Sequence, residues 1–407
     1  MAKPPLGNRT LIRAINRSAV LNMIKTHGSI ARTDIAQFTG LSAATVTGIT
    51  AELIERGLII EKEEGDSSGG RRPILLAINP SGGYVIGIKL MEHQVIGALT
   101  DLEATIIAKH IEKFPDHSLG TITDTLVGVI DKLLLDMDID KAKLFGVGIG
   151  LAGIIDAKKG NLRYSPIFGF RDVPLGKLLR TRLEVPVFID NDVNTLTLTE
   201  QLFGSGQGID NFITITIGRG VGMGIVVNGQ LYRGANGGAG EFGHTVIDPE
   251  GPPCACGKRG CLETYVSDPA LLKMALKAFS DGEMTEEVRT IEELNALAQV
   301  GDHTARAIFK QAGEKLGIGI ANLFNIFSPQ EIIISGEGVR AGELLFEPMR
   351  ASIEQHVMPG LDVQDAVIRI DVWDDDVWAR GAASLVLQEV FNSPLNIEKT
   401  EDNVIAF

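Results

Sequence analysis

From residue 8 onward the apolar positions recur every three or four residues. In LIRAINRSAVLNMIKTHG, Ile12, Ile15, Ala19 and Ile24 fall near one face, with Leu21 and Met23 beside them, and Gly28 closes the helix. A shorter helix, TDIAQFTG, ends at Gly40. Ser42 then stands as the N-cap of AATVTGITAELIERG, which Gly57 closes. Val46, Ile49 and Leu53 are spaced three and four apart and are expected to pack inward. Two short helices joined by a glycine-containing turn predict a helix-turn-helix. The following LIIEKEEGDSSGGRRPILLAINP predicts a hairpin with a polar tip, a wing.

Beyond residue 80 the pattern changes to alternating strands and helices. VIGIKL and VIGALTDL predict a hairpin, and LFGVGIGLAGIID a strand entering a glycine-rich turn. VPVFIDNDV is a strand ending in polar residues. FITITIGRGVGMGIVVNGQLY reads as two strands around a glycine turn. A long helix is expected over 302–327, followed by the strand and turn QEIIISGEG. This is an α/β body with polar groups and glycines at strand ends, where ligands bind in such sheets.

Charge sharpens this division. The chain of 407 residues carries a net charge of −14, which argues against a nucleic-acid binder when taken as a whole. Residues 1–76, however, hold ten basic against seven acidic residues, a balance of +3, and the remainder carries −17. A mildly basic head on an acidic body fits a DNA-facing module joined to one that is not. In the second helix of the motif, Ser42, Ala43, Thr45 and Thr47 are small or hydroxylated, suited to close approach to base edges. Arg71 and Arg72 sit on a tip loosened by Gly69 and Gly70 and stiffened by Pro73. They suit a narrow minor groove, where negative potential concentrates. Double-stranded DNA is therefore an expected partner; a winged helix used for protein contacts is the alternative. No apolar run approaches the roughly 18–20 residues that span a bilayer, so membrane insertion is not expected. The first residues lack an apolar signal core, and the cytoplasm is the expected compartment.

All three cysteines of the chain fall in one window, GHTVIDPEGPPCACGKRGCLE. Cys254-x-Cys256-x4-Cys261, with His244 ten residues upstream, offers three thiolates and one imidazole, a donor set suited to a closed tetrahedral structural Zn2+ site. Four protein ligands leave no open position, so such a metal would hold a loop and not activate water.

The same window resembles the signature of the ROK family (repressors, open reading frames and sugar kinases). It stands here as Glu241-Phe242-Gly243-His244 and Cys254-Ala255-Cys256-Gly257-Lys258-Arg259-Gly260-Cys261-Leu262-Glu263. The resemblance covers essentially the whole chain, since ROK repressors also carry a winged helix ahead of the body. It implies a winged helix-turn-helix over 1–80 followed by a two-lobed, actin-like sugar-kinase fold. The first lobe would span 81–190, completed by a C-terminal helix at about 379–392. The second would span 191–378 and carry the zinc loop. It implies assembly as a homodimer or homotetramer, and sugar contacts at Asn191, Asp192, Glu241, His244 and Glu263. In the family's kinases the residue matching Asp192 is the general base.

The phosphate loop departs from the kinase pattern. Where the kinases carry Asp-x-Gly-Gly-Thr, this chain reads Lys89-Leu90-Met91-Glu92-His93. Lys89 replaces the Asp, side chains block close backbone approach, and Glu92 would repel a triphosphate. The turn Gly218-Arg219-Gly220-Val221-Gly222-Met223-Gly224 is largely kept, and Ser335-Gly336-Glu337-Gly338 matches the nucleotide-side turn with an acid inserted. The expected function is thus a sugar-responsive transcriptional regulator, a repressor of carbohydrate uptake or catabolism genes with no catalytic residue, relieved by a sugar or sugar phosphate between the lobes. Glucose, xylose, N-acetylglucosamine and their phosphates all suit these carboxylates and amides. The alternatives are an ATP-dependent sugar kinase and a repressor controlled by a sugar-transport protein.

Overall fold

The computed structural model describes residues 9–62, 73–361, 367–371 and 376–391. It forms two compact units, residues 1–195 with 378–407, and residues 196–377.

The first unit opens with the head: helix α1 (Arg9–His27), strand β1 (Ile30–Ala31), α2 (Arg32–Thr39), α3 (Ala43–Glu55), β2 (Ile59–Lys62) and β3 (Leu75–Ile78). Gly40 ends α2 in the left-handed region at φ 68°, and the Ser42 hydroxyl accepts from the Thr45 amide at the start of α3. Local chemistry thus fixes both ends of the turn. Val46, Ile49 and Leu53 are buried as their spacing requires, as are Val20, Leu21 and Ile24 of α1 and Ile35 of α2. Ile12 differs from expectation: it is 48% exposed, because it borders an open groove of about 330 Å³ with Arg13, Asn16, Ala44, Thr45, Gly48 and Ile49. β2 and β3 form the wing hairpin, and β1 adds a third strand, order β1-β3-β2. Arg71 and Arg72, assigned to the wing tip, lie outside the described residues.

The body of this unit continues with β4 (Tyr84–Leu90), β5 (Gln94–Thr100), β6 (Ile106–Lys113), α4 (Leu119–Asp136) and β7 (Leu144–Leu151). A small hairpin sheet follows, β8 (Ile154–Asp156), β9 (Asn161–Tyr164) and β10 (Arg171–Val173). Then come α5 (Leu175–Leu183), β11 (Val187–Asn191) and α6 (Asp192–Phe203). The main sheet has order β11-β7-β4-β5-β6: an antiparallel meander of β4, β5 and β6, extended by β7 and β11 in parallel with β4. Its buried residues, among them Ile86, Ile88, Val147, Ile149 and Ile189, pack with Ile122, Leu126 and Ile130 of α4.

The change of unit falls inside α6, between Thr195 and Leu196. The second unit repeats the plan. A meander of β12 (Phe212–Ile217), β13 (Val221–Val227) and β14 (Gln230–Leu231) is extended in parallel by β15 (Glu331–Ser335) and β16 (Val367–Ile370), order β14-β13-β12-β15-β16. Its helices are α7 (Glu263–Val266), α8 (Asp268–Ser280), α9 (Ile291–Val300), α10 (His303–Phe327) and α11 (Glu343–His356). The core joins Ile213, Ile215 and Ile334 of the sheet to Phe309, Leu316 and Ile320 of α10 and Phe346 and Met349 of α11.

The last described helix, α12 (Asp376–Phe391), returns to the first unit from Trp378 onward. It lies directly on the backbone of β4 and β7. A Cβ at Gly87 would fall inside the carbonyl oxygen of Ala379, and one at Gly148 inside that of Ala382. Ala379, Ala382, Ala383 and Val386 are buried there. Gly148→Ala is expected to push α12 off the sheet and destabilise the first unit by about 1–3 kcal/mol, the usual cost of overpacking. Calorimetric unfolding of the full chain checks this; an unchanged first transition would show that the helix is free to shift.

Candidate functional site

The polar end of β11 runs straight into α6. The Asn191 side chain accepts from the Val193 amide at 2.8 Å and donates to the Gly153 carbonyl at 3.1 Å, so it caps the helix and ties it to the turn after β7. Beneath it, Asp190 is fully buried and accepts from the Asn191 amide and from Asn194 Nδ2. Asp192 is the first residue of α6, where the helix dipole favours a carboxylate. Its Oδ1 accepts from the Val193 amide at 3.1 Å, and its Oδ2 meets the ammonium of Lys89 at 3.3 Å. Lys89 and Asp192 are 13% and 18% exposed. Lys89 therefore neutralises this carboxylate.

In the second unit, Glu263 opens α7, and its Oε2 accepts from the Val221 amide at 3.1 Å, beside Gly220. Glu241 is exposed and precedes the single turn Phe242–His244. The ligand atoms of His244, Cys254, Cys256 and Cys261 lie within 4.8 Å of one another. His244 Nδ1 is 3.6 Å from Cys254 Sγ, and Cys256 Sγ is 3.6 Å from Cys261 Sγ. A tetrahedron with 2.3 Å metal–sulfur bonds has edges of roughly 3.7 Å, so the four donors fit one metal ion. Lys258 donates to the His244 carbonyl, and the Cys254 amide donates to the Lys258 carbonyl, closing the loop around the thiols. Gly260, at φ 64°, lies where a Cβ would overlap the Asp248 carbonyl, so the loop closes only with glycine. Burial raises the thiol pKa of Cys254 and takes that of Cys261 to about 12, while the Lys258 amide lowers that of Cys256. A bound cation would hold all three as thiolates. With Nδ1 facing the sulfurs, Nε2 of His244 remains for another partner.

Near the kept glycine turn, the Glu337 carboxylate lies against Gly218, whose carbonyl accepts from the Asp268 amide. Burial, then the charges of Glu337 and Glu292 and against that of Arg340, raise the Asp268 carboxyl to about 6. The ground beside this turn is acidic, unfavourable for phosphate.

In the head, Glu52 of α3 pairs with Arg13 and Arg17 of α1 at 2.6 and 3.4 Å and with Arg56 at 3.2 Å. Burial alone would raise its pKa; the hydrogen bond and charge of Arg13, with Arg56 and Arg17, bring it below the usual range. This network fixes α3 on α1. Ser42, Ala43 and Thr47 are exposed, whereas Thr45 is half-buried with its hydroxyl 2.8 Å from that of Ser42, and the Thr47 hydroxyl donates to the Ala43 carbonyl. The exposed face of α3 also includes Ala44, Gly48 and Ala51. The choice of small or hydroxylated residues at the helix start does not include Ala44 and Ala51; the spacing 44, 47, 48, 51 puts both on the same exposed face.

A family model described as ROK family matches residues 85–389. The chain belongs to the ROK family. A MarR family model matches residues 15–64, the winged head. The xylose repressor of Caldicellulosiruptor bescii (strain ATCC BAA-1888 / DSM 6725 / KCTC 15123 / Z-1320) is 33% identical over 402 residues, covering 96% of this chain and 99% of that protein. A ROK family transcriptional regulator, a homologue of E. coli MLC protein, superposes with a TM-score of 0.84 at 29% identity, covering 93% of this chain and 97% of that one. The ROK family glucokinase from Streptomyces griseus, solved with glucose and AMPPNP, superposes at 0.64 with 29% identity, covering 74% of this chain and 99% of that one. The fold is thus a MarR-type winged head on a ROK sugar-kinase-like body. Among the described residues no helix is long and apolar enough to cross a membrane.

The charges around Gly218 yield a pH test. Asp268 keeps its proton longer folded than unfolded, so stability falls as pH rises from about 4 through about 6. Glu337→Gln removes one repelling charge. Its thermal midpoint is expected to exceed wild type by more at pH 7.5 than at pH 5, where Asp268 is largely neutral. An equal gain at both values would mean that Glu337 does not act through Asp268.

Proposed function

We propose that this ROK protein is a sugar-responsive, DNA-binding transcriptional regulator, a repressor of carbohydrate uptake or catabolism genes. The observation that carries the reading is the ion pair of Lys89 with Asp192: the kinase base is neutralised, while Asn191, Glu241, His244 and Glu263 are kept as partners for sugar hydroxyls. Paired hydrogen bonds of this kind discriminate sugars, since a missing hydroxyl leaves a polar group unmatched. The altered loop at Lys89-Leu90-Met91-Glu92-His93 and the acids beside Gly218 speak against ATP, so no catalytic residue is assigned and Asp192 is a ligand residue.

The head would dock on operator DNA through the exposed face of α3 around Ala43 and Thr47. Ser42 and Thr45 would sit at its start, and Arg71 and Arg72 on the wing. In a homodimer or homotetramer, sugar binding would alter the spacing of two heads, and half-site spacing is a geometric requirement. His244, Cys254, Cys256 and Cys261 would hold one structural Zn2+, fixing the loop that carries His244 and Glu263. A sugar-transport protein is the partner to consider where no small sugar binds.

Operators recovered by selection from random duplexes, followed by anisotropy titration with and without glucose, xylose, N-acetylglucosamine and their 6- or 5-phosphates, test this reading. One sugar is expected to change operator affinity by tenfold or more, and Mg-ATP with that sugar to yield no ADP. ADP formation would restore the kinase reading, and silence across the panel would point to a protein partner. Metal analysis of purified protein is expected to find one zinc per chain. Cys256→Ser should lower both the zinc content and the thermal midpoint; full zinc occupancy in that variant would exclude Cys256 as a ligand.

A further inference from the structure

Both carboxylate oxygens of Asp192 are already engaged within the protein. Oδ1 takes the Val193 amide and Oδ2 takes the Lys89 ammonium. Oδ2 can accept a second hydrogen bond, but a sugar hydroxyl donating there would crowd the Lys89 ammonium and draw on the charge that holds it. The pair is mostly buried, so an ammonium losing its carboxylate needs another stabilising contact. It has one: Lys89 Nζ stands 3.2 Å from the ring centroid of Trp378, a cation–π contact that strengthens when its competitor is withdrawn. Trp378 lies in the first turn of α12 and is 8% exposed.

From there the connection is stiff. α12 rests backbone to backbone on Gly87 and Gly148, so it cannot deform locally without lifting from β4 and β7. Its 16 residues span about 24 Å. At the far end, the Phe391 carbonyl accepts from Asn22 Nδ2 of α1 at 2.7 Å, and the Phe391 ring lies under Lys25 Nζ of the same helix at 4.7 Å. α1 in turn holds α3 through Arg13, Arg17 and Glu52. Every member of this series belongs to the first unit.

We propose that Lys89 is the residue that couples effector occupancy to the DNA-binding head. A sugar hydroxyl displaces it from Asp192, it is left on the Trp378 ring without its carboxylate, and α12 passes the resulting shift of Trp378 to Asn22 and Lys25 of α1. This rests on the reading of Asp192 as a sugar ligand. The identity of residue 89 then sets both affinity and response: a cation there lowers sugar affinity by competition and makes binding felt at the head.

The test uses the full-length protein and Lys89→Met, which keeps an unbranched stem beside the Trp378 ring and removes the charge. With whichever sugar of the panel binds wild type, calorimetry is expected to give at least tenfold tighter binding to Lys89→Met. Saturating sugar should change the variant's operator affinity by less than threefold, against tenfold or more in wild type. Asn22→Ala, which breaks the far end, should bind the sugar within about threefold of wild type and likewise lose the operator response. A Lys89→Met protein that releases operator as wild type does would overturn the proposal. Hydrogen exchange on the ligand-free proteins provides an arm that needs no sugar. Lys89→Met is expected to speed exchange of the 22–25 amides of α1 and the first amides of α12 severalfold, and unchanged exchange at α1 overturns the coupling. If no sugar gives heat with wild type, the effector reading fails, and this arm alone decides whether Lys89 speaks to the head.

Discussion

The contact on which the first unit depends is that of α12 with the bare backbone of β4 and β7. Side chains ordinarily hold a helix about 10 Å from a sheet. Here Gly87 and Gly148 remove that spacer, and the carbonyls of Ala379 and Ala382 come down onto the strands. Close-packed interiors transmit strain because they cannot absorb it by filling voids. The same contact places Trp378 beside Lys89 at one end and Phe391 beside α1 at the other. Helix α12 thus joins α1 to the end of β4, although the sequence separates α1 and α12 by more than three hundred residues.

The chemistry of the body follows from two substitutions of charge. Lys89 makes the neighbourhood of Asp192 a neutral ion pair. Glu337 beside Gly218, with Asp268 raised to about 6, makes the other glycine turn hostile to an anion. Each change acts within its own unit. Both weaken the case for a nucleotide and leave the capping role of Asn191 and the anchoring of Glu263 untouched.

Much of this was legible in the sequence where it was local. Ser42 and Gly40 define the turn of the head because capping and left-handed glycine are short-range effects, and the cysteine spacing foretold a cluster whose four donors do converge. The rest was non-local. Periodicity places Ile12 near one face of its helix, but it borders the open groove between α1 and the Ala44–Gly48 stretch of α3 and is left exposed. Gly87 and Gly148 were visible as glycines in strands, and only the return of α12 explains them. Lys89 was read as a missing aspartate; that it pairs with Asp192 requires β4 and β11 to be brought together by β7 between them.

The convergence of four donors at His244 fixes the local geometry of the loop that carries it. A histidine on a flexible loop would lose rotational freedom on meeting a sugar, and that loss would weaken binding. With Nδ1 drawn toward Cys254, the ring is oriented before any ligand arrives. Glu263 is held on the same short segment, two residues beyond Cys261, with one oxygen already bound to the Val221 amide. A loop rich in glycine could not hold two ligand side chains in register through its own packing. A four-donor closure around one ion would do so at the cost of any open coordination position.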